Sequence, residues 1–326
     1  MPAAQRIGVV TSGGDCPGLN AAIRAIVRSA IALGWSVTGI RHGYEGLLHG
    51  EVVPLDAAAV SGIINRGGTL LRTARSAEVE TPEGMKRAAV ALDQLGLAGL
   101  LVLGGNGSLR GAWELGKLAR TPIVGIPKSI DNDVGGTDYA IGFDTAVNTV
   151  LEAIDRIRDT ATSHDRLFLV EVMGRKNGYL ALAAGLAAGA EEVLVPEVPT
   201  DLDAVCHRLE EGKRRGKRSS IIVVAEGDDA GGAFTIAEAI AKRVSGYEIR
   251  VSVLGHQQRG GAPTAFDRLL ASRLGAAAVN VLKSGQRSQM VGLIHDEIVV
   301  SDLERAWREM PRFRPELVTL ASVLAS

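Results

Sequence analysis

The chain predicts an α/β fold with largely parallel sheets, and three observations carry that prediction. Short apolar runs of strand length recur, each followed by a polar turn and a helical pattern. Glycines cluster in pairs, Gly13-Gly14, Gly67-Gly68, Gly104-Gly105 and Gly260-Gly261, as tight turns and close backbone approach require. Strand after strand ends in glycine plus a charged or hydroxyl residue. In open α/β sheets, ligands bind at the carboxyl ends of strands.

Ile7 to Thr11 reads as a buried strand. The turn Ser12-Gly-Gly-Asp-Cys-Pro-Gly-Leu-Asn20 follows, then a helix from Ala21 to Leu33 with Asn20 as N-cap. Strand, Gly-rich loop and helix present backbone N–H groups to a phosphate. The turn matches neither a P-loop nor G-x-G-x-x-G, so an ordinary βα turn stays open at this point. Ser36 to Ile40 is a strand ending at His42-Gly-Tyr-Glu-Gly, and a helix is expected over Ala57 to Asn65. Arg72, Arg75 and Ser76 then sit in a loop. Thr81-Pro82-Glu83 opens a helix to Leu95. Leu100 to Leu103 is a buried strand ending in Gly104-Gly-Asn-Gly-Ser108, with a helix to Leu118. The strand beginning near Thr121 runs into Pro127-Lys-Ser-Ile-Asp-Asn-Asp133.

Ala146 to Asp159 is helical, and Arg166 to Val172 is a strand tipped by Met173-Gly-Arg175. A helix to Ala188, a short strand at Val193-Leu194 and an exposed helix from Leu202 to Arg215 follow. That helix enters the basic run Lys213 to Arg218, which by itself reads as a solvated face. Ile221 to Ala225 is a strand tipped by Glu226, and Ala237 to Val244 is helical. Arg250 to Leu254 is a strand ending in Gly255-His-Gln-Gln-Arg-Gly-Gly261. A helix from Thr264 to Leu282, a strand from Met290 to Ile294, and short helices near Leu303 and from Pro315 close the chain.

Composition narrows the function. A net charge of -1 and 4% aromatic residues disfavour a nucleic-acid binder or an anionic-membrane ligand. Two distant cysteines, Cys16 and Cys206, argue against a disulfide framework or a cysteine zinc site, and fit a reducing cytoplasm. The apolar stretch Tyr179 to Ala190 is too short to span a bilayer. Neither Gly-rich turn has the pattern of a nicotinamide dehydrogenase. The strand ends gather Asp15, Asn106, Ser108, Ser129, Asp131, Arg175, Glu226, His256 and Arg259. Glycine turns for phosphates, arginines for a phosphorylated substrate and carboxylates for proton or metal work suit phosphoryl transfer to a sugar phosphate.

Five runs resemble the bacterial 6-phosphofructokinases in order and spacing: Thr11 to Asn20, Gly104 to Ser108, Pro127 to Asp133, Val172 to Arg175 and Leu254 to Gly261. The resemblance implies two three-layer α/β lobes with the active site in the cleft between them. Residues 1–142 with 258–308 would form the donor lobe, and 143–257 with 309–326 the fructose 6-phosphate lobe. It implies Asp131 as general base on the sugar 1-hydroxyl, flanked by Ser129 and Asp133, with Arg175 stabilising the transferred phosphoryl group. Ser129, Ile130, Asp131, Arg166, Met173, Gly174, Arg175, Glu226, Arg250, His256 and Arg259 would bind the sugar phosphate. Arg166 and Arg250 would come from a neighbouring subunit, so a homo-oligomer, usually a tetramer, is implied. ATP would lie against Gly13, Tyr44, Arg75, Ser76, Gly105, Asn106, Gly107 and Ser108.

The chain departs from the family in three respects. Asn106 replaces the aspartate that helps position Mg²⁺, keeping an oxygen acceptor and losing a charge; Asp133 is a further candidate ligand, and Mg²⁺ is still expected. Gly107 with Lys128 resembles a mixed-substrate branch of the family: glycine leaves room for a nucleotide, and lysine, the residue of pyrophosphate-using relatives, also occurs in an ATP-using branch that pairs it with glycine. ATP is the expected donor, with pyrophosphate and ADP left open. An effector site is implied by Arg24, Arg28, Arg158, Glu191, Arg215 and Lys217. Ala57 and Gly62 stand where that site has an arginine and an aspartate, so altered ADP or phosphoenolpyruvate control is expected. Kinases of other ketose phosphates, and a non-catalytic sugar-phosphate-sensing subunit, remain as alternatives.

Overall fold

The computed structural model describes residues 5–161, 166–217 and 219–324. Arg218 and the chain ends named in the expected lobes lie outside them. In chain order the elements are β1 (Arg6–Thr11), α1 (Leu19–Ala32), β2 (Ser36–Ile40), α2 (Gly43–Leu48), β3 (Val52–Leu55), α3 (Pro82–Gln94), β4 (Gly99–Gly104), α4 (Asn106–Leu118), β5 (Ile123–Pro127) and α5 (Phe143–Ala161). Then come β6 (Arg166–Val172), α6 (Tyr179–Ala187), β7 (Glu192–Leu194), α7 (Leu202–Arg214), β8 (Ser220–Ala225), α8 (Ala233–Ala241) and β9 (Glu248–Val253). A 3-10 turn (Gly255–Arg259), α9 (Ala265–Lys283), β10 (Gln289–Ile294), β11 (Glu297–Asp302), α10 (Arg305–Arg308) and α11 (Pro315–Leu324) complete it.

The chain divides into two compact units. The first takes the described residues up to Thr145 together with Arg259–Pro311. Its sheet has the order β11-β10-β5-β4-β1-β2-β3, parallel except at the two edges, where β3 and β11 run antiparallel. Alternate residues of the buried strands serve opposite faces. Leu100 and Val102 pack with Leu109, Ala112 and Leu115 of α4. Gly99, one step out of phase, faces α9, where an added Cβ would meet Leu282 at 2.6 Å. Helices therefore cover both faces, as a parallel sheet requires. The second unit holds the remaining described residues, with an all-parallel sheet β7-β8-β6-β9. Leu167, Leu169, Ile222 and Val224 form its core with α7 and α8.

Three local expectations are corrected, and three elements are added. Asn20 is not an N-cap: α1 begins after Gly18, whose φ is 100°, and Asn20 lies inside the helix. Its amide instead donates to Arg66 O and Gly67 O, and its oxygen accepts from Leu70 N. Residues 57–65 form turns and not a helix. Asp56 accepts from Ala59 N, Ser61 N donates to Ala58 O, and Gly62 has φ 65°. Buried Val60 and Ile63 alone produced the helical look. The helix expected from Ala237 is α8, which starts at Ala233. Finally, α2, β3 and β11 escaped notice. The β10–β11 hairpin turns on His295 and Asp296, with φ 50° and 63°, so both central residues are left-handed without the usual glycine.

Asp267 of α9 anchors the start of α5. Its side chain is fully buried and accepts from Gly142 N, Thr145 N and Thr145 Oγ1. Burial pushes its carboxyl upward and these three donors oppose the rise. Asp267→Ala should leave those donors unsatisfied and cost about 2–4 kcal/mol, read as a lower urea midpoint; an unchanged midpoint would contradict this role.

Candidate active site

In the first unit the carboxyl ends of β1, β4 and β5 lie side by side, because these strands are neighbours in the sheet. The turn after β1 is strapped down. Ser12 N donates to Leu103 O at 3.0 Å, and Ser108 Oγ lies 3.1 Å from Ser12 Oγ. Thr73 Oγ1 donates to Gly13 O, and Lys128 Nζ to Gly14 O. Gly13 has φ 82°, and a Cβ there would stand 3.0 Å from Ser108 Oγ. At Gly14 a Cβ would meet Arg259 Nη1 at 2.5 Å, and Arg259 also donates to Asp15 O at 3.3 Å. The backbone angle requires glycine at position 13, whereas at position 14 glycine leaves room for the Arg259 guanidinium.

The second Gly-rich turn opens α4. Gly105 is its N-cap and no side chain caps the helix, so its first N–H groups are available to an anion. A Cβ on Gly107 would meet nothing within 4 Å, so the protein's own packing does not demand this glycine. Tyr44 is buried, and its hydroxyl donates to Ser108 O at 2.6 Å; burial pushes that phenol upward. It braces the turn from beneath. Arg75 is exposed on its loop, and Ser76 Oγ accepts from Val79 N at 3.4 Å.

The loop after β5 carries Lys128 to Asp133. Ser129 N donates to Ile141 O, and Ile141 N to Pro127 O, fixing the loop's start. Asn132, at φ 50°, donates to Asp138 O and accepts from Ala140 N, closing the return. Within this frame Asp131 is 3% exposed, its N–H donating to Ser129 Oγ at 3.2 Å. Ser129 Oγ donates to Asp133 Oδ1 at 2.7 Å. Asn106 Nδ2 donates to Asp133 O at 2.9 Å and to Asp133 Oδ2 at 3.2 Å. Asn106 Oδ1 is buried without a hydrogen-bond partner. Ile130 is buried at 1% exposure, and its side chain belongs to the core beneath the loop.

In the second unit Met173, Gly174, Arg175, Glu226 and His256 gather beyond the carboxyl ends of β6, β8 and β9. Glu226 Oε1 accepts from Gly174 N at 3.2 Å and Arg175 N at 2.7 Å, and Gln258 Oε1 accepts from Met173 N at 3.1 Å. Arg175 takes φ 56°, a left-handed conformation that this carboxylate steadies. Its side chain, like that of His256, is exposed. Arg166 and Arg250 are not brought to this cluster. Arg166 is the first residue of β6, about 20 Å of strand from its last residue. Glu248 pairs with both arginines, with Arg166 Nε at 2.9 Å.

Of the expected effector residues, Arg24 and Arg28 stand on α1 in the first unit, where Arg28 donates to Ala57 O at 3.1 Å. In the second, Glu191 is the centre: Lys217 Nζ lies 3.1 Å and Arg158 Nη1 3.9 Å from its Oε1. Arg215 pairs instead with Glu211 at 2.5 Å. Glu191, Arg215 and Lys217 line a cavity of about 490 Å³ with Glu192, Arg208 and Ser220. Burial raises the Glu192 carboxyl, against the opposing hydrogen bond from Arg208. Sequence reasoning missed Thr73, Asn132 and Gln258 as supports. Thr73 is one polar residue among several in a loop and gave no signal; Gln258 lies inside the conspicuous run ending at Gly261.

A phosphofructokinase family model matches residues 6–282, and the chain belongs to the phosphofructokinase family. The ATP-dependent 6-phosphofructokinase 1 of Thermus thermophilus is 56% identical over 321 residues, which are 98% of this chain and 99% of that one. The ATP-dependent 6-phosphofructokinase of Brevibacillus brevis is 50% identical over 321 residues, with coverage of 98% and 99%. Among solved structures, Pichia pastoris phosphofructokinase in the T-state aligns at TM-score 0.88 and 36% identity over 94% of this chain, which spans 38% of that chain's length.

Glu226 yields a test independent of activity. In Glu226→Ala the Gly174 and Arg175 amides lose their acceptor and should exchange with solvent roughly 10-fold faster, by hydrogen-exchange mass spectrometry or NMR. Unchanged protection would remove Glu226 as the support of this turn.

Proposed function

We propose that the chain transfers the terminal phosphoryl group of ATP to the 1-hydroxyl of fructose 6-phosphate, giving fructose 1,6-bisphosphate. The observation that carries this reading is the placement of Asp131 in the first unit. It is a buried carboxylate on a loop fastened at both ends, on the strand beside the one that leads into uncapped α4. The 56% identity to an enzyme named for ATP and for this sugar phosphate supports the same substrates.

Donor phosphates would sit across the two Gly-rich turns, at Gly13, Gly105, Gly107 and Ser108, where backbone N–H groups and buried Lys128 supply positive potential. Tyr44 supports that turn from below and need not touch the nucleotide. Arg75 and Ser76 would reach the donor from their loop. Asp131 would take the proton from the sugar hydroxyl as its oxygen attacks phosphorus. Arg175 would meet the charge that spreads over the transferred group. Arg259, Met173, Glu226 and His256 would hold fructose 6-phosphate. The remoteness of Arg166 and Arg250 from Arg175 supports their service to a neighbouring subunit, and hence a homo-oligomer, with a tetramer as the expected size. The Glu191 cluster would take an anionic effector. Two buried free cysteines fit a cytoplasmic enzyme.

Magnesium fits this donor set. Asn106 Oδ1 is a buried oxygen lacking a donor, with the Asp133 carboxylate beside it. Among the described residues no group of three His, Cys, Asp or Glu side chains could hold a metal unaided. A cation carried mainly by donor phosphates, and completed by Asn106 and Asp133, matches both facts. Held by these two residues, the ion would supply charge neutralisation for the donor phosphates.

Asp131→Asn should lower kcat by about 10²–10⁴-fold with the urea midpoint little changed. A kcat within a few-fold of wild type would refute Asp131 as base. Gly107→Asp has room to fold, yet its carboxylate should repel the nucleotide. We expect the KM for ATP to rise roughly 10-fold or more, and an unchanged KM would move the donor away from this turn.

A further inference from the structure

We propose that Asn106 is a positioning residue: its uncharged amide fastens the loop bearing Asp131 to the start of α4 without a cation. The inference rests on the reading of Asp131 as the base. Four hydrogen bonds make the connection. Asn106 Nδ2 donates to both the backbone and side-chain oxygens of Asp133, at 2.9 and 3.2 Å. Asp133 Oδ1 accepts from Ser129 Oγ at 2.7 Å, and Ser129 Oγ accepts from Asp131 N at 3.2 Å. Asn106 is the first residue of α4, where Leu109 N donates to Gly105 O and closes the first helical turn. The chain of bonds therefore runs from a rigid helix end to the backbone of the base.

The charge state decides how this works. Asp133 presents a carboxylate oxygen 3.2 Å from the side-chain nitrogen of residue 106. An amide donates there and attracts. An aspartate would place a second carboxylate at hydrogen-bonding distance in a part-buried site, where like charges repel unless a cation lies between them. Asn106 thus makes loop order independent of metal. Its remaining oxygen, Oδ1, takes no hydrogen bond from the protein and is left as a neutral acceptor, suited to a cation that arrives with its own phosphates.

The test compares wild type, Asn106→Asp and the swapped pair Asn106→Asp with Asp133→Asn. Each is melted without nucleotide in mildly alkaline buffer, with EDTA and with millimolar magnesium chloride. Wild type should keep one Tm in both buffers, within about 1 °C. Asn106→Asp should melt about 4 °C lower or more in EDTA and recover with magnesium. The swapped pair restores one amide facing one carboxylate, and should regain the wild-type Tm in EDTA. Two results would overturn the inference: Asn106→Asp as stable as wild type in EDTA, or wild type gaining as much from magnesium as the variant. If Asn106→Asp aggregates, the swapped pair decides: soluble with a wild-type Tm supports the clamp, and equal aggregation refutes it. A kinetic arm separates positioning from simple stability. Asn106→Ala should lose about 10-fold or more in kcat while the KM for fructose 6-phosphate moves less than about twofold. Unchanged kcat would refute the positioning role. If fructose 6-phosphate is not the substrate at all, the kinetic arm is silent for wild type too, and the melting curves still read the clamp.

Discussion

Leu103 of β4 lies opposite Thr11 of β1 and Ile126 of β5, and this register is the constraint on which the first unit depends. Parallel strands in such a ladder end at one level, so the three loops that follow leave the sheet together. All three strands are buried on both faces, and a slip by one residue would turn every side chain to the wrong face. Ser12 N still bonds Leu103 O one step beyond β1, extending the ladder into the glycine turn. The positions of Gly13, Gly105 and Lys128 are therefore set by the core, before any ligand is present.

From that level upward the loops are held by polar contacts within the protein. Lys128 reaches the first turn, Thr73 holds Gly13, and Tyr44 braces the second turn through Ser108. Loop residues so fastened lose little further entropy when a ligand binds, which is the physical content of preorganisation. The second unit uses the same device with different chemistry. There one carboxylate, Glu226, collects two backbone N–H groups and steadies Arg175 in a conformation that a non-glycine residue seldom adopts. In both units glutamine or asparagine side chains, Gln258 and Asn132, close loops through backbone groups.

Much of this was legible because buried parallel strands read as unbroken apolar runs. β6 begins and ends where the run Arg166 to Val172 does, and Thr81 caps α3 by accepting from Gly84 N. Failures came where tertiary contacts overrode local pattern. Val60 and Ile63 are apolar at helical spacing, yet an Asp56 turn and Gly62 direct the backbone. Asn20 looked like a cap because it precedes a helical pattern, but Gly18 starts the helix two residues earlier. The site was legible as a set of strand ends, since glycine and charge mark them. What a residue does there was not. Tyr44 is spent on the backbone of Ser108, and Asn106 faces Asp133; neither contact leaves a trace in local sequence.

Phosphoryl transfer from ATP to fructose 6-phosphate can be measured on the unaltered chain. The chain is given fructose 6-phosphate and magnesium with ATP, ADP or pyrophosphate at equal concentration. Initial rates are recorded and the product is identified by phosphorus NMR. Turnover should be fastest with ATP, and the product should be phosphorylated at both ends of the sugar. Faster turnover with pyrophosphate, or no bisphosphate with any donor, would contradict this assignment.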